Sequence, residues 1–251
     1  MEDLAKPDSE PPLRVGLTYN LKKNIQSDVP DIEAEYDHIE TIHAIQNALE
    51  KDGHEVVLFE ADEDLPANLI NHPVDIVFNI AEGIQGRGRE AQVPAILNFY
   101  KIPYTGSDET TLCVALDKAL TKRLLSTYHI RTPKYQVVAA GQAIRGGSFS
   151  FPVIVKPNAE GSSKGISDVA IVENRRALKQ MVSEHIRLYR QDMLVEEYIG
   201  GREFTVGVLG NGAAARVFPP MEIVYLKQDN PYQIYSYQVK QNYKALIQYQ
   251  C

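Results

Sequence analysis

Lys156 closes the apolar run Phe151-Pro152-Val153-Ile154-Val155, and the stretch around it, VKPNAEGSSKGIS over residues 155–167, places two lysines around two glycines and two serines. A lysine at the end of an apolar strand is costly to bury unless its ammonium reaches a partner, and a phosphate is a suitable one. Gly161 and Gly165 free the backbone to turn N–H groups toward an anion, while Ser162 and Ser163 add hydroxyl donors. The stretch lacks the Gly-Lys-Ser/Thr ending of a P-loop. Taken alone it reads first as a mobile hairpin with a strand-end lysine, and second as a loop that holds phosphates.

A second set of candidates lies in MLVEEYIGGREF, residues 193–204: an apolar strand, the adjacent carboxylates Glu196 and Glu197, a Gly-Gly turn, and a further strand starting at Glu203. Acids at such a connection can accept hydrogen bonds from an amino group and from ribose hydroxyls. The plainer reading is one exposed glutamate and one salt-bridged glutamate. Lys118 and Lys122 in LDKALTKRLL stand at i, i+4 on one helix face, a pattern usually explained by solvation. Gly86-Arg87-Gly88-Arg89-Glu90-Ala91 fits G-x-G-x-x-A, but a dinucleotide fingerprint needs an acid at the end of the next strand, and Asp108 opens a helix instead. A glycine-rich turn with two solvated arginines, or an anion pocket at a helix N-terminus, accounts for the same residues.

The elements that carry these groups follow from periodicity. Leu13–Tyr19, Glu55–Phe59 and Asp75–Ile80 read as strands, and apolar residues at 32, 36, 39, 42, 45 and 49 predict a helix across 31–52 that Gly53 stops. Strand and helix in alternation predict a parallel α/β sheet. A helical run over 108–128 follows. Beyond it, short strands at 151–156, 169–172, 193–199, 203–209 and 214–218, with one helix over 174–190, predict an antiparallel α+β part. The expected divisions are a loose, polar tail at 1–12, an N-terminal α/β domain at 13–106, a central subdomain at 107–195 and the start of a C-terminal subdomain at 196–251.

With 251 residues, 44% hydrophobic and 24% charged, the chain has globular composition and more than one structural unit's length. No apolar run nears the roughly 18 residues that a membrane span requires, and the N-terminus lacks the apolar core of a signal peptide. Two cysteines, Cys113 and Cys251, form no disulfide or zinc spacing, which points to a reducing cytoplasm. A net charge of -7 argues against a general nucleic-acid binder. His38 and His43 are five apart, not the four that align two ligands on a helix.

Taken in order, FNIAEGIQGRGREAQVPAILNFYKIPYTGS, LDKALTKRLL, VIVKPNAEGSSKGIS and LVEEYIGGREFTV resemble the ATP-grasp superfamily, and within it the D-alanine–D-alanine ligase family. The resemblance runs from about residue 13 to the end. It implies an α/β ATP-grasp fold, ATP and magnesium as cofactors, and ATP phosphates held by Lys118 and Lys156. It also implies a phosphate lid over Glu160 to Gly165 with Ser162 and Ser163 as donors, an adenine hinge at Glu196, Glu197 and Ile199, and a ribose acid at Glu203. The implied reaction transfers the γ-phosphoryl of ATP to a carboxylate, and an amine then attacks the acylphosphate to form an amide. Small amino-acid or peptide substrates and a homodimer follow from the same likeness, while the charge and the lack of a long apolar run point to no nucleic-acid or membrane partner.

Several positions depart from the family pattern. TYNLKKNIQSDVPDIEAEYD replaces its His-Gly-Gly loop and Ser-x-Glu, leaving Glu35 as the counterpart of the substrate-binding glutamate. Glu82 stands where a histidine is common, and Lys240 is followed by Gln241 rather than tyrosine. The sequence stops at Cys251, before the segment that supplies the family's magnesium ligands. The chain is therefore expected to be part of a longer enzyme, or a shortened homologue that binds nucleotide without turnover; an NAD-linked oxidoreductase built on GRGREA is a distant alternative.

Overall fold

The computed structural model describes residues 11–29, 31–145, 150–165, 170–226 and 231–251. Of the expectations above, the tail up to residue 10, and the ends of the lysine-glycine stretch and of the 169–172 strand, lie outside the described residues. The chain divides into two compact units, one formed by residues up to 27 with 35–121, the other by 28–34 with 122–251.

The first unit contains β1 (Arg14–Tyr19), α1 (Ile39–Lys51), β2 (Glu55–Glu60), α2 (Leu65–Asn71), β3 (Ile76–Asn79), α3 (Gln92–Phe99), α4 (Glu109–Leu116) and the first turn of α5 (Lys118–Thr127). Its strands form a parallel sheet in the order β2-β1-β3, with Val15 facing Val56 on one side and Ile76 on the other. This is the predicted parallel α/β arrangement. Phe59, Leu65, Leu69, Val77, Val93 and Leu97 make its core.

Two helices differ from the periodicity. α1 begins at Ile39 rather than near 31, because Asp37 is tied into an extended pairing: its N–H donates to Asn20 O and its carbonyl accepts from Lys22 N–H, both at 2.9 Å. The apolar positions 32 and 36 therefore belong to the turns before the helix. At its other end α1 stops as expected at Gly53, φ +97, where Gly53 N–H reaches Glu50 O and His54 N–H reaches Leu49 O. This is the Schellman arrangement that a left-handed glycine permits. The run 108–128 is two helices, not one. Asp117, 1% exposed, takes an extended ψ of 98°, and its side chain accepts from Leu120 N–H at 2.9 Å, so it ends α4 and caps α5.

The second unit holds the rest of α5, then β4 (Tyr135–Val138), β5 (Val153–Pro157), β6 (Ile171–Val172), α6 (Arg175–Tyr189) and β7 (Met193–Glu197). It continues with β8 (Glu203–Thr205), β9 (Val208–Leu209), β10 (Arg216–Val217), β11 (Met221–Tyr225), α7 (Tyr237–Gln241), α8 (Tyr243–Leu246) and β12 (Ile247–Gln250). An antiparallel sheet runs β4-β7-β5-β6, a second runs β12-β11-β8, and β9 pairs with β10. The antiparallel α+β character matches expectation. β4, β11 and β12 escaped prediction because runs of four or five residues are too short to establish a period. α6 buries Leu178 and Val182 against Val153, Val155 and Val195 of the first sheet. Among the described residues no helix is long and apolar enough to cross a membrane.

Candidate functional site

The register of β5 and β7 sets opposite Ile154 the residue Glu196, and opposite Lys156 the residue Leu194. Lys156 and Glu196 are therefore diagonal neighbours on one face of the sheet. There the Lys156 ammonium contacts Glu196 Oε1, and Lys122 Nζ, from α5, lies 2.7 Å from Oε2. The Lys122 side chain is 9% exposed and that of Glu196 is 7%. Lys122 also donates to the Pro133 carbonyl at 3.3 Å and sits 5.1 Å above the ring of Tyr135, the residue paired with Glu196 across β4 and β7. Burial opposes the charge on Glu196, but the two ammoniums, Lys156 first, outweigh it and hold its carboxyl below the ordinary range.

Two ammoniums therefore share one carboxylate, leaving the cluster with one excess positive charge in a poorly hydrated place. Oε2 is buried against Lys122, whereas the Lys156 side chain keeps 19% exposure. The arrangement suits an anion beside Lys156 and a hydrogen-bond donor beside Glu196.

The glycine-serine stretch leaves β5 as a tight turn. Ser162 and Ser163 both have positive φ, 44° and 61°, a costly backbone state for non-glycine residues that collects at functional loops. Gly165, φ +73, has no room for a side chain, since a Cβ there would lie 2.4 Å from the Pro157 ring. Glu160 accepts from Gln191 Nε2 at 2.6 Å and pairs with Lys164 at 3.0 Å; Ser163 Oγ donates to the Tyr235 carbonyl at 2.9 Å. Asp31, from the short N-terminal piece that joins this unit, accepts from Gly165 N–H at 2.6 Å and from the Tyr189 hydroxyl at 3.2 Å. Burial and then the Asp31 charge push the Tyr189 hydroxyl well above its ordinary value.

The remaining candidates of this unit are spread around that core. Glu197 accepts from Ser150 N–H at 2.7 Å, and Ile199 is 67% exposed. Glu203 on β8 accepts from the Tyr225 hydroxyl and lines a cavity of about 440 Å³ with Tyr235 and Tyr249. Lys240 on α7 lies 5.3 Å from the centre of the Tyr235 ring.

Glu35 and Glu82 fall in the first unit and meet there. Arg89 Nη2 donates to both oxygens of Glu35 at 2.6 Å. Glu35, Glu82 and Glu90 bring carboxylate oxygens within 4.8 Å of one another. Asn20, 6% exposed, fixes the Glu82 turn by accepting from Glu82 N–H at 2.8 Å and Gly83 N–H at 3.0 Å. Burial first, then the charges of Glu35 and Glu90, push the Glu82 carboxyl up to about 8. The reading of two solvated arginines in GRGREA is corrected here: Arg87 is exposed and contacts Asp117, but Arg89 is buried against Glu35. The Arg89 charge is thus matched within its own unit.

Lys118 opens α5 in the first unit, on the helix that carries Lys122 one turn later. Lys122 itself was passed over, because helical lysines at i, i+4 are ordinarily solvated and nothing local signals that one of them is buried. Asp31 carries no local signal either, because its partners are more than a hundred residues away in sequence.

Residues 125–251 match the family described as D-ala D-ala ligase C-terminus. Among named relatives, the D-alanine–D-alanine ligase of Aquifex aeolicus is 34% identical over 203 residues, covering 80% of this chain and 65% of that protein. The ligase of Halalkalibacterium halodurans is 36% identical over 185 residues, 72% and 58% of the two chains. The uncharacterized protein y4sG of Sinorhizobium fredii is 36% identical, over 73% and 56%. The chain thus spans between half and two thirds of the length of these relatives. Its fold is similar to that of the D-alanine–D-alanine ligase of Bacillus anthracis solved with ATP, TM-score 0.65 at 22% identity over 86% of this chain and 68% of that one. The Coxiella burnetii ligase gives TM-score 0.64 at 21% identity, covering 84% and 71%. The architecture is the ATP-grasp fold.

Proposed function

The chain belongs to the D-alanine–D-alanine ligase family, and from that membership we propose that its second unit binds ATP for an ADP-forming ligation of an amino-acid carboxylate to an amine. The observation that carries the proposal is the buried Lys122–Glu196–Lys156 cluster beside the turn of Ser162 and Ser163. In this reading Lys156 and Lys118 hold the phosphates, and the lid from Glu160 to Gly165 closes over the terminal one with hydroxyls from Ser162 and Ser163. Adenine packs by Glu196, Glu197 and Ile199, held through one carboxylate and the backbone around it, and Glu203 accepts from the ribose. Lys240 stands near the reacting groups.

The substrate carboxylate oxygen attacks the γ-phosphorus as the bond to the β–γ bridging oxygen breaks and ADP leaves. The amine then attacks the acyl carbon, loses a proton, and phosphate departs. No side chain becomes a covalent nucleophile; the lysines and the lid supply position and charge stabilisation. Magnesium, when bound, neutralises phosphate charge. Among the described residues of the second unit no three carboxylates, histidines or cysteines gather to hold it, so no step is assigned to it. In the first unit, Glu35 and Glu82 stand for substrate recognition, and the carboxylate at 82 favours substrates other than D-alanine. The cytoplasm and a homodimer complete the proposal.

The test is calorimetric titration with ATP, repeated on Lys156→Met, followed by an ADP-release screen of amino acids. Saturable binding that Lys156→Met abolishes is expected; retained ATP affinity in the variant defeats the proposal. Strong ADP release with D-alanine alone would overturn only the substrate preference, and binding without release from any substrate would reduce the chain to a nucleotide-binding module.

A further inference from the structure

A second cavity, of about 600 Å³, opens between α6 and the turn that follows β4. None of its lining residues belongs to the candidate nucleotide site. Its volume lies in the usual range of small-molecule pockets, about 300 to 1,000 Å³. One wall is α6, whose residues 175, 179, 182, 183, 186 and 187 recur at steps of three and four and so share a face. The opposite wall is a built turn rather than a loose one. Gln136 Nε2 donates to the Ala143 carbonyl at 3.1 Å and its Oε1 accepts from Arg145 N–H at 2.9 Å, while Gln142 Oε1 accepts from Ala139 N–H at 3.1 Å.

The chemistry of the lining is one-sided. Val182, 4% exposed, and Ile144 form an apolar floor continuous with the core. Arg175, Lys179 and Arg187 ring it, and no carboxylate among the described residues lines it, although the chain as a whole carries a net charge of -7. Arg175 is anchored by a hydrogen bond to the Ile144 carbonyl at 3.1 Å. Lys179 and Arg187 are held in no ion pair among the described residues. Three cations over an apolar floor favour a ligand with a charged head and a compact apolar body, because guanidinium and ammonium groups bind carboxylate and phosphate alike.

We infer that this cavity is a binding site for a small amphiphilic organic anion, separate from the nucleotide site. The test is titration calorimetry on the full chain in saturating ADP, which keeps the probes from the phosphate-binding lysines, with phenyl phosphate, benzoate and inorganic phosphate as ligands. One-to-one binding of phenyl phosphate or benzoate is expected, the tighter of the two identifying the head group. Lys179→Glu with Arg187→Glu should weaken it about tenfold or more by reversing two charges, and Ser183→Phe, which fills the mouth without changing charge, should abolish it. These positions are exposed on α6, so the variants are expected to fold. No saturable binding, inorganic phosphate binding as tightly as phenyl phosphate, or affinities unchanged in the variants would each overturn the inference.

Discussion

Replacing Glu196 by Gln removes the one negative charge between two lysines and tests whether the cluster is held by that charge. The Glu196 side chain is 7% exposed, and its contact with Lys122 is 2.7 Å. At an effective dielectric of ~20 a pair at that separation attracts by roughly 6 kcal/mol, most of which the lost hydration of the ions offsets. Deleting one member of a buried pair leaves its partners uncompensated, at a cost of about 3 to 5 kcal/mol; here two ammoniums are left facing each other. Hydrogen exchange of the β5 and β7 amides reads the effect locally. Protection in Glu196→Gln should fall by roughly two to three and a half orders of magnitude at neutral pH. Lys122→Met, which leaves the Lys156–Glu196 pair intact and neutral overall, should cost much less. Because the folded carboxyl titrates below its unfolded value, its contribution is complete above the unfolded pKa. It is lost as pH falls through the folded one. The difference between the two proteins should therefore be constant from pH 6 to 8 and shrink in acid. A loss of protection under tenfold, or a larger loss in Lys122→Met, would refute the reasoning.

Asp31→Ala removes the acceptor of both Gly165 N–H and the Tyr189 hydroxyl. Trypsin should cut after Lys164 about tenfold to a hundredfold faster in the variant, since a hydrogen bond to a charged group contributes about 1.5 to 3 kcal/mol; an unchanged rate would mean that Asp31 does not restrain this turn. Glu82, pushed up to about 8, keeps in the folded chain a proton that the unfolded chain releases near ~4.3. Its penalty is absent below that value, grows as pH rises and is complete above 8. Glu82→Gln should accordingly melt a few degrees above the parent at pH 8.5 and at the same temperature near pH 4.5, as followed by circular dichroism. Equal melting temperatures at both values would remove the case for a buried, proton-holding carboxyl.

Much of this protein can be read without coordinates where the signal is local. The strand run RVGLTY, the stop at Gly53, and the lysine, glycines and serines of VIVKPNAEGSSKG depend on near neighbours: side-chain alternation, the need of a left-handed residue, and the donors of one short loop. Four such blocks in order carry the family resemblance, and the last two lie within the matched residues 125–251. What tertiary structure alone decided is which charges meet. Lys122 looks like any solvated helical lysine until the chain returns at β7 with Glu196, and Arg89 looks solvated until Glu35 reaches it from 54 positions earlier. Asp31 lies in a stretch expected to be helix, yet its backbone forms turns and its carboxylate holds a loop 134 residues on. Local sequence sets backbone preference through short-range sterics and period. The burial and pairing of a charge depend on segments that only folding brings within a few ångströms, and no period in the sequence records that distance.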